Sequence, residues 1–239
     1  CACTVVVTLI GWLASRALRL PAESTRALMQ AAMRGNLAYT ALPVIIYTFG
    51  ERSVPAAAAV FALAPTIPFY NFWAVLILTR TGAGGPRDPL LRTLAAVLRN
   101  PLIIGCGLGL LVMKSGLHLP DGLFNAVEAL GRAALPCALL ALGAALTPEK
   151  IRASFRPALA ATALKLVAMP ALGYAGARLL GFSGDTLLIA LLYLASPCAV
   201  TSYVMADQMG ADKELAGSAI VLSTLLCLPV MTLILLLFR

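Results

Sequence analysis

Two short segments place hydrogen-bonding side chains beside prolines in the middle of apolar runs. Gly35-Asn-Leu-Ala-Tyr-Thr-Ala-Leu-Pro43 supplies Asn36, Tyr39, Thr40 and Pro43, and Ala195-Ser-Pro-Cys-Ala-Val-Thr-Ser-Tyr203 supplies Ser196, Pro197, Thr201 and Ser202. Proline within a helix removes a backbone donor and clashes with the preceding turn. At membrane depth the freed backbone groups need partners, so such breaks persist where they line a cavity enclosed by protein. Each break also exposes a half-helix N-terminus, whose unpaired N–H groups and dipole favour an anion. The chemistry expected at these residues is binding of a small anion near the membrane midplane. Catalysis finds no support, because a single histidine, His118 in a connector, excludes HExxH, and no GxGD or serine–base arrangement occurs.

Few ionisable residues fall inside the apolar runs: Arg34, Glu128, Arg132, Lys165 and, near a helix end, Asp207. Charge at such depth is costly and points to function by default. Arg34 directly precedes the first break and could guide an anionic ligand. Lys165 lies mid-span before Pro170 with no local partner; it attracts an anion, bridges broken-helix carbonyls as a cation, or snorkels to an interface. Glu128 and Arg132 are spaced i,i+4 and can pair on one helix face, in a structural or a coupling role.

The two polar segments belong to a longer repeat. Gly11 through Glu23 recurs as Gly173 through Asp185, pairing Gly11 with Gly173, Arg16 with Arg178, Leu18 with Leu180 and Glu23 with Asp185 at an offset of 162 residues. The same offset sets Thr40 against Ser202 and brings Pro68 within one residue of Pro229. In a chain this apolar, a long internal repeat marks a transporter built from two related halves. The 239 residues are 61% hydrophobic and only 12% charged, with mean hydropathy +0.93. A soluble domain would carry roughly twice that charge, so the class expected is an all-α polytopic membrane protein. The formal net charge of +8 sits in short connectors and lacks interleaved aromatics, which argues against nucleic-acid binding. Cys1, Cys3, Cys106, Cys137, Cys198 and Cys227 all lie in apolar segments without CxxC spacing. They read as small hydrophobes, with no metal, cofactor or disulfide framework expected.

Runs bounded by Gly, Pro and charge predict eight spans, near 1–18, 26–49, 54–79, 101–117, 122–146, 157–180, 186–208 and 215–238. Residues 1–80 form a first half and 101–239 a second, joined by a Gly/Pro-rich linker over 81–100. The second half holds five spans and the first only three, so the offset predicts two further helices, about 60 residues, upstream of Cys1 and a parent of ten spans. A unit of five enters the membrane from opposite sides in its two copies, which makes the repeat inverted. With the linker in the cytoplasm, the inside connectors carry Arg16, Arg19, Arg26, Arg80, Arg87, Arg92, Arg99, Lys150, Arg152, Arg156 and Lys213. The outside keeps Arg52, Lys114, Arg178 and Arg239. This positive-inside bias places the C-terminus outside.

Asn36, Tyr39, Ala41 and Pro43 resemble the first broken helix of the auxin efflux carrier family, although Ala38 and Ala41 stand where glycine is common. Pro197 through Tyr203 resembles the family's second broken helix, and Gly210, Asp212, Ser223-Thr224 and Pro229 succeed it in the family's order. Leu135-Pro136 through Gly143 resembles its seventh helix. The family includes plant auxin exporters and bacterial carriers of malate or malonate. The resemblance implies a fold of inverted five-helix repeats with two crossed broken helices, like that of bile acid and sodium–proton transporters. It further implies a transport domain of helices 3–5 and 8–10 moving against a scaffold, with a homodimer formed through the scaffold. On that map the present chain holds the transport domain and half of the scaffold. The function expected is a secondary carrier exporting a small organic anion such as a dicarboxylate, in the inner (plasma) membrane of a bacterium. The alternatives are a sodium-coupled symporter of the bile acid type and a membrane scaffold or sensor that transports nothing.

Overall fold

The computed structural model describes residues 2–80, 98, 101–117, 119–145 and 147–238. Cys1, His118, Arg239 and most of the expected 81–100 linker lie outside that set. Among the described residues, helices are the only repeating structure. They are α1 (Ala2–Ala17), α2 (Ala22–Met33), α3 (Leu42–Phe49), α4 (Val54–Arg80), α5 (Pro101–Ser115) and α6 (Asp121–Ala145). The remainder are α7 (Pro148–Ala153), α8 (Phe155–Ala163), α9 (Met169–Leu179), α10 (Gly184–Leu194), α11 (Thr201–Gln208) and α12 (Lys213–Phe238). Four stretches are long and apolar enough to cross a bilayer: Val54–Thr79, Asp121–Ala141, Phe155–Leu179 and Lys213–Phe238. Shorter apolar helices cover Ala2–Ala17, Leu37–Phe49, Ile103–Ser115 and Gly184–Leu194.

Two of the expected spans are each divided into half-helices, α2/α3 and α10/α11. Wide π turns occupy Leu37–Ala41 and Leu164–Ala168. Both end two residues before a proline, Pro43 and Pro170. A proline ring collides with the carbonyl four residues back, here that of Tyr39 or Leu166, and each of these lies within a π turn. The wider winding relieves the collision, so the chain continues as α3 and α9 instead of stopping. Pro43 therefore sits in the first turn of α3; the first break lies earlier, at Arg34–Asn36.

Element boundaries recur at the sequence offset: α1 ends at Ala17 and α9 at Leu179, while α2 begins at Ala22 and α10 at Gly184. Gly11 and Gly173 serve as contact points in these helix pairs. A Cβ on Gly11 would lie 3.4 Å from Leu28 Cδ2 of α2, and one on Gly173 would run into Leu194 Cδ1 of α10. Small residues at such positions let helices approach closely in lipid, where packing and hydrogen bonding replace the hydrophobic drive.

The core forms where the half-helices meet the long ones. Ile45 of α3, Leu188 and Leu192 of α10 and Met231 of α12 belong to one buried cluster. Leu28 and Ala31 of α2, Ala158 and Ala161 of α8 and Ala219 of α12 belong to another. Several connectors gather at one end. Ser24 Oγ donates to Asp212 Oδ2 at 2.6 Å, Lys150 lies 3.9 Å from Glu214, and buried Arg26 donates to the carbonyls of Leu78 (2.9 Å) and Gly210 (2.8 Å). A cation on carbonyls at the C-terminal end of α11 suits the helix dipole. At the periphery, α6 carries the expected Glu128–Arg132 pair at 2.7 Å, exposed on one helix face.

Candidate functional site

The two breaks meet. Asn36 N donates to Pro197 O at 2.7 Å, and Ala199 N donates to Arg34 O at 3.1 Å. These bonds make an antiparallel bridge between Gly35 and Cys198. Each broken helix thus supplies partners for backbone groups freed in the other, which membrane depth demands. Further polar groups at the crossing find partners nearby. Cys198 N donates to Ser223 Oγ at 2.9 Å, Cys198 Sγ to Ala31 O at 3.1 Å, and Ser196 Oγ to Tyr193 O at 2.7 Å.

Lys165 is fully buried, and its ammonium donates to Leu194 O, at the C-terminal end of α10, at 2.5 Å. Its Cε lies 3.2 Å from where a Cβ on Gly35 would sit. Of the three roles open in the sequence, the contact is that of a cation on a broken-helix carbonyl. Lys165→Met would remove a charge-assisted hydrogen bond and leave a buried carbonyl unpaired. A loss of about 1–3 kcal/mol is expected, read as a Tm lowered by about 3–10 °C; an unchanged Tm would show that the contact contributes nothing.

A cavity of about 180 Å³ opens at the crossing, lined by Arg34, Gly35, Asn36, Tyr39, Ile67, Tyr70, Ala134, Ala138 and Thr201, among others. Of the ten candidate binding residues, it gathers Arg34, Asn36, Tyr39 and Thr201. Ser196, Pro197, Ser202 and Lys165 are buried outside it, Thr40 is half-buried, and Pro43 is exposed. None of those six lines the cavity. Thr201 and Ser202 belong to the first turn of α11, not to the break itself.

Arg34 is buried at the C-terminal end of α2. Its guanidinium donates to Met205 Sδ at 2.8 Å and to Asn71 Oδ1. Asn71 in turn donates to Cys106 Sγ at 3.4 Å. None of the ion pairs among the described residues involves Arg34. A buried cation facing only neutral dipoles keeps much of its desolvation cost uncompensated, which an anion in the cavity would offset. Asn71 and Tyr70, both buried on α4, are not among the residues that the sequence singles out. The available signal was an asparagine within an apolar span, three residues after Pro68.

Comparison with known proteins gives the family. A family model described as "Membrane transport protein" matches residues 86–235, well over half of the chain. The chain belongs to this family, that of the auxin efflux carriers. Similar family members include an uncharacterized transporter of Methanocaldococcus jannaschii, 23% identical over 97% of this chain and 74% of its own. A provisionally named malonate transporter of Rhizobium meliloti is 26% identical over 86% of this chain and 64% of its own. Auxin efflux carrier component 1 of Arabidopsis thaliana is 26% identical over 56% of this chain and 22% of its own. The chain spans from 19% to 74% of the length of the first curated relatives it matches. As an auxin efflux carrier family member with several apolar helices of spanning length, it is a multi-pass integral membrane protein. The family is one of transporters, which is not an enzyme class.

Proposed function

We propose that this family member forms the substrate-carrying part of a secondary exporter for a small organic anion such as a dicarboxylate. The observation that carries this proposal is Arg34, a buried guanidinium with neutral partners only, at the wall of the crossing cavity. Asn36, Tyr39 and Thr201 add hydrogen-bonding groups to the same cavity, while Lys165 holds the end of α10. The name of the Rhizobium meliloti relative points to a dicarboxylate. The two halves act as inverted repeats exchanging inward- and outward-open states. Their matching boundaries at the 162-residue offset support this. The distribution of Lys and Arg supports a cytoplasmic linker and an outside C-terminus.

Labelled malonate or malate flux into proteoliposomes tests the carrier. Flux above empty liposomes is expected, and Asn36→Ala and Thr201→Ala are each expected to lower it about tenfold, the worth of one hydrogen bond in a buried site. Cys137→Ser is the appropriate control, since Cys137 is exposed; Cys106 is a poorer one because it accepts from Asn71. Equal losses in all three variants would remove the crossing as the site. The tethered ammonium of Lys165 on Leu194 O occupies a position where a symporter would place a free cation. Flux is therefore expected to persist when sodium is replaced by choline; loss of flux would favour the bile acid type of symport.

A further inference from the structure

A second cavity, of about 370 Å³, lies apart from the crossing at the end where the connectors gather. Its wall combines Leu18 and Leu20 of the α1–α2 turn, Ser24 of α2, Arg152 and Arg156 at the α7–α8 corner, and Asp212 before α12. Asp212 is already engaged: Oδ2 accepts from Ser24 Oγ at 2.6 Å and Oδ1 from Leu215 N at 2.9 Å. The two arginines are different. Neither takes part in an ion pair or side-chain hydrogen bond among the described residues, and both are exposed.

Two free guanidiniums lining one cavity, one from each side of the α7–α8 corner, each offer the planar donor fork that suits a phosphate. The neighbouring residues suit the level of lipid headgroups. One turn before the α1–α2 turn, the Arg16 guanidinium lies 5.3 Å over the Trp12 ring, an aromatic–cation pair of the kind that marks the membrane–water interface. The exposed Leu9 and Leu13 of α1 continue from there into the hydrocarbon, and Leu18 and Leu20 form an apolar rim between the two regions. Free phosphate would use the arginines alone. An anionic phospholipid would use the arginines, the rim and the lipid-facing leucines together.

We propose that this cavity binds the phosphate headgroup of an anionic phospholipid. Its walls come from both halves of the chain, so an occupied cavity ties the start of α2 to the α7–α8 corner and resists unfolding of either.

The test is thermal unfolding of the protein in nanodiscs, followed by the fluorescence of Trp12 and Trp73. Adding phosphatidylglycerol to phosphatidylcholine discs is expected to raise Tm by about 5 °C, the shift for a site near saturation. The double variant R152Q/R156Q is expected to match the wild type in pure phosphatidylcholine and to lose most of the gain. Arg178→Gln, remote from the cavity, should keep it. Retention of the full gain by R152Q/R156Q, or its loss in Arg178→Gln as well, would overturn the proposal. Inorganic phosphate added to phosphatidylcholine discs is expected to leave Tm unchanged; a shift equal to that from phosphatidylglycerol would assign the cavity to free phosphate instead.

Discussion

Arg34→Gln is expected to lower organic-anion flux about 100-fold while leaving Tm unchanged or slightly raised. The two effects separate because the guanidinium's value lies with the ligand. Charge-assisted hydrogen bonds to a carboxylate are each worth about 1.5–3 kcal/mol, and a tenfold change corresponds to about 1.4 kcal/mol. Within the empty protein the same guanidinium has only Met205 Sδ and Asn71 Oδ1 as partners. Replacing it with a neutral amide removes a buried charge whose desolvation those dipoles repay poorly. A structural arginine would behave in the opposite way, its loss depressing Tm by several degrees with flux falling only in proportion to folded protein. Proteoliposome flux and Tm measured on one preparation distinguish the two. Asn71→Ala, which frees the guanidinium to move, is expected to raise KM more than it lowers the maximal rate, since it disturbs the position of the charge without removing it.

Gly35→Ala is expected to destabilise the protein and distort the site together. Its Cβ would collide with Ser196 Oγ and press within 3.2 Å of both Leu37 Cδ2 and Lys165 Cε. Those neighbours belong to the crossing and are fixed by the bonds of Asn36 N to Pro197 O and of Lys165 Nζ to Leu194 O. Room for the methyl therefore comes from separating the breaks. Overpacking at a rigid site costs about 1–3 kcal/mol, or roughly 3–10 °C of Tm for a chain of this size, and loss of the backbone bridge would distort the cavity wall as well. Gly105→Ala is the matched control: a Cβ there meets nothing within 4 Å, and alanine favours helix by about 1 kcal/mol. A Gly35→Ala protein with wild-type Tm and flux would mean that the breaks do not pack as closely as Gly35 requires.

Much of this arrangement was legible in the residues, and the part that was not has physical causes. The helices fall within a few residues of the expected spans because their bounds are set locally, by Gly, Pro and charge. Both breaks also lie in the expected segments. Glu128 and Arg132 pair as their i,i+4 spacing requires, since one helix turn decides it. Thr40 and Pro43, expected beside Asn36, lie outside the cavity lining, and the π turn over 37–41 alters the number of residues per turn at this point. Pro43 announces a disturbed helix but does not say whether the chain breaks there or widens one turn earlier. The partners of Arg34 lie on α4 and α11, 37 and 171 residues away along the chain, and no local pattern specifies such contacts. Lys165 was recognisable as an isolated charge. Its attachment to Leu194 O follows only from the packing of α9 against α10 around Gly173.

The central claim is that the small organic anion occupies the cavity beside the crossed breaks. Tyr39 lines that cavity and is 54% exposed, so Tyr39→Cys, in a background with Cys3, Cys106 and Cys137 replaced by serine, offers a thiol at the site. Its rate of modification by an anionic methanethiosulfonate should fall severalfold as malonate, malate or succinate is added, while Arg52→Cys in the α3–α4 connector should react at an unchanged rate. If none of these dicarboxylates slows modification of Tyr39→Cys under conditions where flux is measured, the anion binds elsewhere and the account is contradicted.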